Sequence, residues 1–192
     1  MRKLLFILSC IILVLTAIGC RPKEDKAYKK AMANKEKITN ILRSTGRPGM
    51  EDVIRQLESS DFFTRGAGGH HNHVGGLAKH SLEVYRMMRL FAPFQPYDSK
   101  VIIGIFHDMG KIDKGGWHPW RSVKLLGEWG LKLTDEEYTV IFKHHRPDLH
   151  YFRSPLRRAL TMADVLSAGW WKLWHWKKNN VPEEEYNEDD PH

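Results

Sequence analysis

The segment "VIIGIFHDMGK", residues 101–111, constrains this chain more than any other feature. Its six residues from Val101 to Phe106 carry no polar side chain, so the segment is built for burial. It ends in His107 and Asp108. A buried imidazole beside a buried carboxylate has to be paired or has to hold something, because leaving such groups unsatisfied away from water costs several kcal/mol. What fills that need depends on what the rest of the chain brings to the same place.

The remaining histidines supply a candidate. Eight of the 11 lie between residues 70 and 145: His70, His71, His73, His80, His107, His118, His144 and His145. Helical spacing of apolar residues sets most of them on or beside helices. "MEDVIRQLESSDFF" places Val53, Ile54, Leu57 and Phe62 on one face, and "LAKHSLEVYRMMRLF" does the same with Leu77, Val84, Met88 and Phe91. The first is set off by the breaker "GRPG" at 46–49. A helix follows through "RSVKLLGEWG". Thr134 and Glu137 form a capping-box pattern that opens another through "EEYTVIFKHH". Ser154 and Pro155 suit the N-cap and first turn of the next, "LRRALTMADVLSAG". No alternating strand pattern and no repeat is evident, and an all-α helical bundle is expected.

In that arrangement His80 starts one helix, His107 and Asp108 end a second, and His118 leads into a third. His144 and His145 end a fourth, and Asp164 sits within a fifth. Packing such helices together converges imidazoles and carboxylates on one pocket. This donor mixture suits one or two divalent ions of Mn, Fe, Co, Ni or Zn better than Ca, which takes all-oxygen sites. A carboxylate at Asp108 can bridge two ions, and two ions about 3.5–4 Å apart can clamp a phosphate and lower the pKa of a shared water.

The leader "MRKLLFILSCIILVLTAIGC" has a basic start and an apolar stretch from Leu4 to Gly19, short for a spanning helix of roughly 20 residues and suited to a secretory signal. "TAIGC" resembles the lipobox of bacterial lipoproteins, with Ala17 where Leu is usual. The resemblance implies lipidation of Cys20 and an extracytoplasmic, membrane-anchored domain; an uncleaved N-terminal anchor is the alternative. The other cysteine, Cys10, lies inside the leader, so a mature chain has no internal disulfide. Without the leader the net charge falls from +7 to +5, which allows nucleic-acid binding without arguing for it. The expected organisation is a leader over 1–20, a polar tether and helix over 21–49, the main domain over 50–170, and a Trp-rich segment with an acidic tail over 171–192.

The ordered pattern "HNHVGGLAKHSLEV…IFHDMGK…HH…MADVLS" closely resembles the HD-domain superfamily of metal-dependent phosphohydrolases, over roughly residues 50–170. "HHNHVGGLAKHS" is most similar to members with an "HHxxxGGLxxHS" signature, including HD-type exoribonucleases and some conjugative-element proteins. The resemblance implies that His80, His107, Asp108 and Asp164 hold a first ion. It implies that His118, His144 and His145 hold a second, with Asp108 shared. It places Lys111 near the substrate phosphate, where a cation stabilises developing charge. His71 would help hold phosphate or position His80. The Gly-Tyr-Pro signature of cyclic di-GMP-cleaving relatives is replaced by "HHRPDLHYF", so that substrate is not supported.

The function expected is hydrolysis of a phosphoester, mono or di, on a phosphorylated small molecule of nucleotide type, by a metal-activated water. Asp108 and Lys111 would be the catalytic side chains. The alternative from another class is a catalytically silent, metal-stabilised binding or scaffold module at the membrane, since fold does not fix function.

Overall fold

The computed structural model describes residues 22–113, 116–146 and 152–180. Within these the protein is all-α, with seven helices and no strand. They are α1 (Pro22–Arg43), α2 (Met50–Ser59), α3 (Gly76–Phe91), α4 (Tyr97–Phe106), α5 (His118–Glu128), α6 (Asp135–Lys143) and α7 (Pro155–Asn180), with a 3₁₀ turn at Met109–Ile112. Among these residues no helix is long and apolar enough to cross a membrane. The leader, Cys20 and the acidic tail lie outside the described residues, as do the tryptophan side chains beyond Gly169.

The apolar run of the opening becomes α4, and every residue from Ser99 to Phe106 is buried. It is enclosed because α1, α3, α6 and α7 all pack against it. Gly104 allows the closest of these approaches: a Cβ there would lie 2.6 Å from the Tyr85 Cα on α3. The two helix backbones therefore nearly touch where α4 approaches its polar end.

The segment expected as a polar tether and helix over 21–49 is helical from Pro22 to Arg43, and its later turns belong to the core. Ala31, Ile38 and Leu42 are buried. Lysines between them obscure an apolar stripe that shows its purpose only when α3 and α4 cover it. The Gly46–Gly49 breaker is then fastened by Arg47. Its guanidinium donates to Asp98 on α4 (2.8 Å), to Glu137 on α6 (2.9 and 3.1 Å) and to the Lys132 carbonyl (2.8 Å). Glu137 is fully buried, and it also accepts from Ser99 Oγ at 2.8 Å.

The expected helix starts are present. Thr134 and Glu137 make both bonds of the capping box, and Ser154 Oγ accepts from the Arg157 amide at 3.2 Å. Arg157, itself buried, donates to the carbonyls of Lys143 (2.8 Å) and Arg146, and so secures the end of α6. Carbonyls at a helix C-terminus lack helical partners, which is why an arginine fits there.

Candidate metal centre

Five helices deliver side chains to one end of α4. His80 stands in the second turn of α3 and is fully buried. His107 is the C-cap of α4, and Asp108 follows with φ −103° and ψ 4°, leaving the helix so that its carboxylate turns away from the apolar run. The turn that follows is pinned to α5 by Ser122, whose Oγ accepts from the Gly110 amide (2.8 Å) and donates to the His107 carbonyl (2.9 Å). His118 opens α5, His144 caps α6 with His145 next to it, and Asp164 lies on α7.

These residues meet in two groups that share one carboxylate. Asp108 Oδ2 is 3.5 Å from His80 Nε2 and 3.7 Å from His107 Nε2. Asp164 Oδ1 lies 3.2 and 3.9 Å from the same two nitrogens. On its other side, Asp108 Oδ1 is 2.9 Å from His118 Nε2 and 3.8 Å from His144 Nε2, while His145 Nε2 is 3.1 Å from His118 Nε2. The donor atoms of His80, His107 and Asp164 all lie within 4.8 Å of one another, and so do those of Asp108, His118, His144 and His145.

Hydrogen bonding decides which ring nitrogens face inward with a lone pair. His107 Nδ1 donates to the Gly104 carbonyl (3.1 Å) and His144 Nδ1 to the Ile141 carbonyl (2.6 Å). A carbonyl only accepts, so in each neutral ring the Nε2 atom is left unprotonated. His80 is fixed through two steps. Ser167 Oγ donates to Glu83 Oε2 (2.8 Å), which leaves it to accept from His80 Nδ1 (3.0 Å). His80 Nε2 and His107 Nε2 then stand 3.3 Å apart, a separation that a proton on His80 bridges in the metal-free protein and that a cation would occupy in its place. Buried Asp108 Oδ1 and His144 Nε2 accept no hydrogen bond at all. Imidazole nitrogens and carboxylate oxygens crowded together in this way are what a cation requires, and carboxylate- or carbonyl-backed imidazoles are its usual support. The residues fit one or two divalent ions.

The electrostatics follow. Burial opposes charge on His80, but the Asp108 and Asp164 carboxylates outweigh it and hold the imidazolium up to about 9. His107, fully buried, is pushed down to about 3 by burial despite the same carboxylates. Burial lowers His145 to about 4, helped by His144 and His118. Burial would raise both aspartates, yet the surrounding imidazoles hold Asp108 and Asp164 well below the usual carboxylate range. The centre therefore carries carboxylate charge in a buried setting.

Each residue expected at the site from sequence is placed here. His144 and His145 both contribute: they follow the last residue of α6, His144 as its C-cap, and their rings lie with centroids 4.0 Å apart. Lys111 Nζ donates to Asp108 Oδ2 at 2.5 Å and lies at the rim, about a quarter exposed. His71 is 1% exposed, with Nε2 3.2 Å from Glu83 Oε2. That depth sets it beside the support of His80 and away from a surface phosphate. The peptide before Gly76 keeps it there: a Cβ on Gly76 would meet the His71 carbonyl at 1.7 Å, and Gly75 has φ 76°. His73 is exposed, its Nδ1 donating to the Val74 carbonyl. Glu83 and Ser167 were not expected. Each stands three residues after a site residue on its own helix, His80 and Asp164, and that spacing is the signal that marks them.

The fold and the site together define an all-α protein with a His/Asp cluster able to bind a divalent metal. Comparison with models of known protein families, with curated proteins and with solved structures finds no match to this chain.

Proposed function

We propose that this chain is an HD-type, metal-dependent phosphohydrolase acting on a nucleotide-type phosphoester. The observation that carries the reading is the shared carboxylate: the two oxygens of Asp108 face two separate histidine groups, an arrangement suited to a pair of ions. Two such ions, when bound, polarise phosphoryl oxygens and bring the pKa of a water near neutrality. The protein's own residues do the rest. Ser167 and Glu83 orient His80, the Gly104 and Ile141 carbonyls orient His107 and His144, and burial excludes bulk water from the inner face. Lys111 stands at the rim with its ammonium beside Asp108, where it offsets negative charge on an incoming phosphate. Beside His145, the Arg146 guanidinium lies over the Trp117 ring at 4.2 Å, a cation and an aromatic surface next to His118. Such a rim suits a phosphate carried on a planar group.

Turnover of p-nitrophenyl phosphate or bis-p-nitrophenyl phosphate by the Mn²⁺-loaded chain is the expected result, falling to background in Asp164→Ala. Silence toward both esters and toward a panel of nucleotides, with metal bound, would leave the protein a metal-stabilised binding module.

The leader supports a second part of the reading, a lipid anchor on Cys20 that holds the domain at the outer side of a membrane. Radiolabelled palmitate incorporated by the wild type in bacterial cells should be lost in Cys20→Ser; equal labelling of both refutes the anchor.

A further inference from the structure

The glycine-rich loop before α3 carries one histidine that neither the expected ligand sets nor the support network uses. His70 follows Gly66, Gly68 and Gly69, and Gly68 and Gly69 have open space around them. Its ring is tilted against that of His80, centroids 4.6 Å apart. One nitrogen each of His70, His71 and His80 lie within 4.8 Å of one another. Although the residue as a whole is only half-buried, its Nδ1 is buried and has no hydrogen-bond partner. Such an atom forfeits the hydration it would have in water, and the native loop must gain something in return.

His71 is held differently. It sits in the left-handed region at φ 50°, its carbonyl accepts from the Ala67 amide (3.1 Å), and its Nε2 is turned to Glu83. The loop is thus anchored at His71, one residue beyond His70, while glycines precede it. That leaves His70 adjustable next to a rigid neighbour.

We infer that His70 is a further ligand of the first metal ion, its Nδ1 reaching the ion from the solvent side while His80, His107, Asp108 and Asp164 hold it from the protein side. The other four residues stand on helices or at the end of one, whereas His70 approaches His80 from the glycine-rich loop. A fifth protein ligand from a nitrogen donor suits a five- or six-coordinate ion such as Mn²⁺, Fe²⁺, Co²⁺ or Ni²⁺ more than a closed tetrahedral Zn²⁺ site. This inference rests on the metal-centre reading above.

Co²⁺ reports it directly, since its visible absorption strengthens as coordination number falls. The full chain in detergent would be titrated with Co²⁺, beside His70→Ala, His70→Asn, His73→Ala and Asp164→Ala. The circular dichroism of the metal-free proteins establishes that each is folded. Both His70 variants should bind one of the ions about 10–100-fold more weakly, the scale on which lost support of a metal centre acts. Their bound spectra should be altered, and His73→Ala should match the wild type. Wild-type affinity and spectrum in both His70 variants, while Asp164→Ala is impaired, would overturn the role of His70 and leave the metal centre standing. No Co²⁺ bound by the wild type would overturn both.

Discussion

Asp108→Asn should take the purified chain from about two bound divalent ions to fewer than one, measured by elemental analysis after loading with Mn²⁺ and desalting. The asparagine keeps the size of the side chain, so the core around it stays filled. It loses the formal charge that both histidine groups face, since Asp108 Oδ2 lies within 3.7 Å of His80 and His107 Nε2, and Oδ1 lies 2.9 Å from His118. Asp164 then remains the carboxylate of one group, and the neutral imidazoles of the other cannot bridge two dications. His118→Ala is the contrasting variant. It removes a donor from one group only, and it should retain about one ion. Two ions retained by Asp108→Asn would refute the shared carboxylate. Equal loss in Asp108→Asn and His118→Ala would make the cluster a single site.

Thermal melting as a function of pH, with and without metal, should show an effect nearly as large. In the metal-free protein His80 is held up to about 9, above its ordinary 6.5. The stability it contributes is fully present below pH 6.5 and is lost as pH rises through 9, about 3 kcal/mol in all. His107 has the opposite sign. Its folded value of about 3 means that its neutral form is the stable one. Stability is therefore lost as pH falls below 6.5, by about 1.4 kcal/mol per pH unit for this fully buried group. His70 and His145, both lowered to about 4, act in the same direction with more solvent screening. Depressed Asp108 and Asp164 add a further loss once pH falls below the ordinary carboxylate range. The metal-free protein should thus be most stable near pH 6.5 and weaken on both sides.

Metal ions bind the unprotonated nitrogens. Saturating Mn²⁺ should therefore abolish the alkaline decline, because the ion takes the place of the proton on His80, and leave the acidic decline in place. At a thousandfold excess over Kd the ion adds about 4 kcal/mol. For a chain of 192 residues that raises Tm by about 8–16 °C. A metal-free Tm that is flat from pH 6.5 to 9, or one that Mn²⁺ leaves unmoved, would contradict the arrangement of charges described here.

Parts of this site were legible in residue order alone. The apolar run into His107–Asp108 announced a buried polar tip, since nothing else explains six apolar residues ending in two groups that resist burial. The capping box at Thr134–Glu137 and the Ser154–Pro155 start fixed two helix beginnings, because capping is a local interaction between residues close in sequence. Other features depended on distance. Ala31, Ile38 and Leu42 lay in a segment read as a polar tether and helix, and only its packing against α3 and α4 shows that they belong to the core. His71 read as a residue that either holds phosphate or positions His80, and the Gly75–Gly76 turn sets it against Glu83, beside the support of His80. Glu83 and Ser167 are 84 residues apart, and their bond exists only because α3 and α7 pack together.

By itself the sequence determined the helices and the chemical type of the centre: helical periodicity and caps are local, and the donor atoms of histidine and aspartate are fixed by residue identity. Only the tertiary structure decided which of those donors meet. It gave Asp108 a separate histidine group for each oxygen, brought His144 and His145 together at the end of α6, and laid His70 over His80. Imidazole nitrogens and carboxylate oxygens crowd together only after five helices have packed, and no local rule along the chain encodes that convergence.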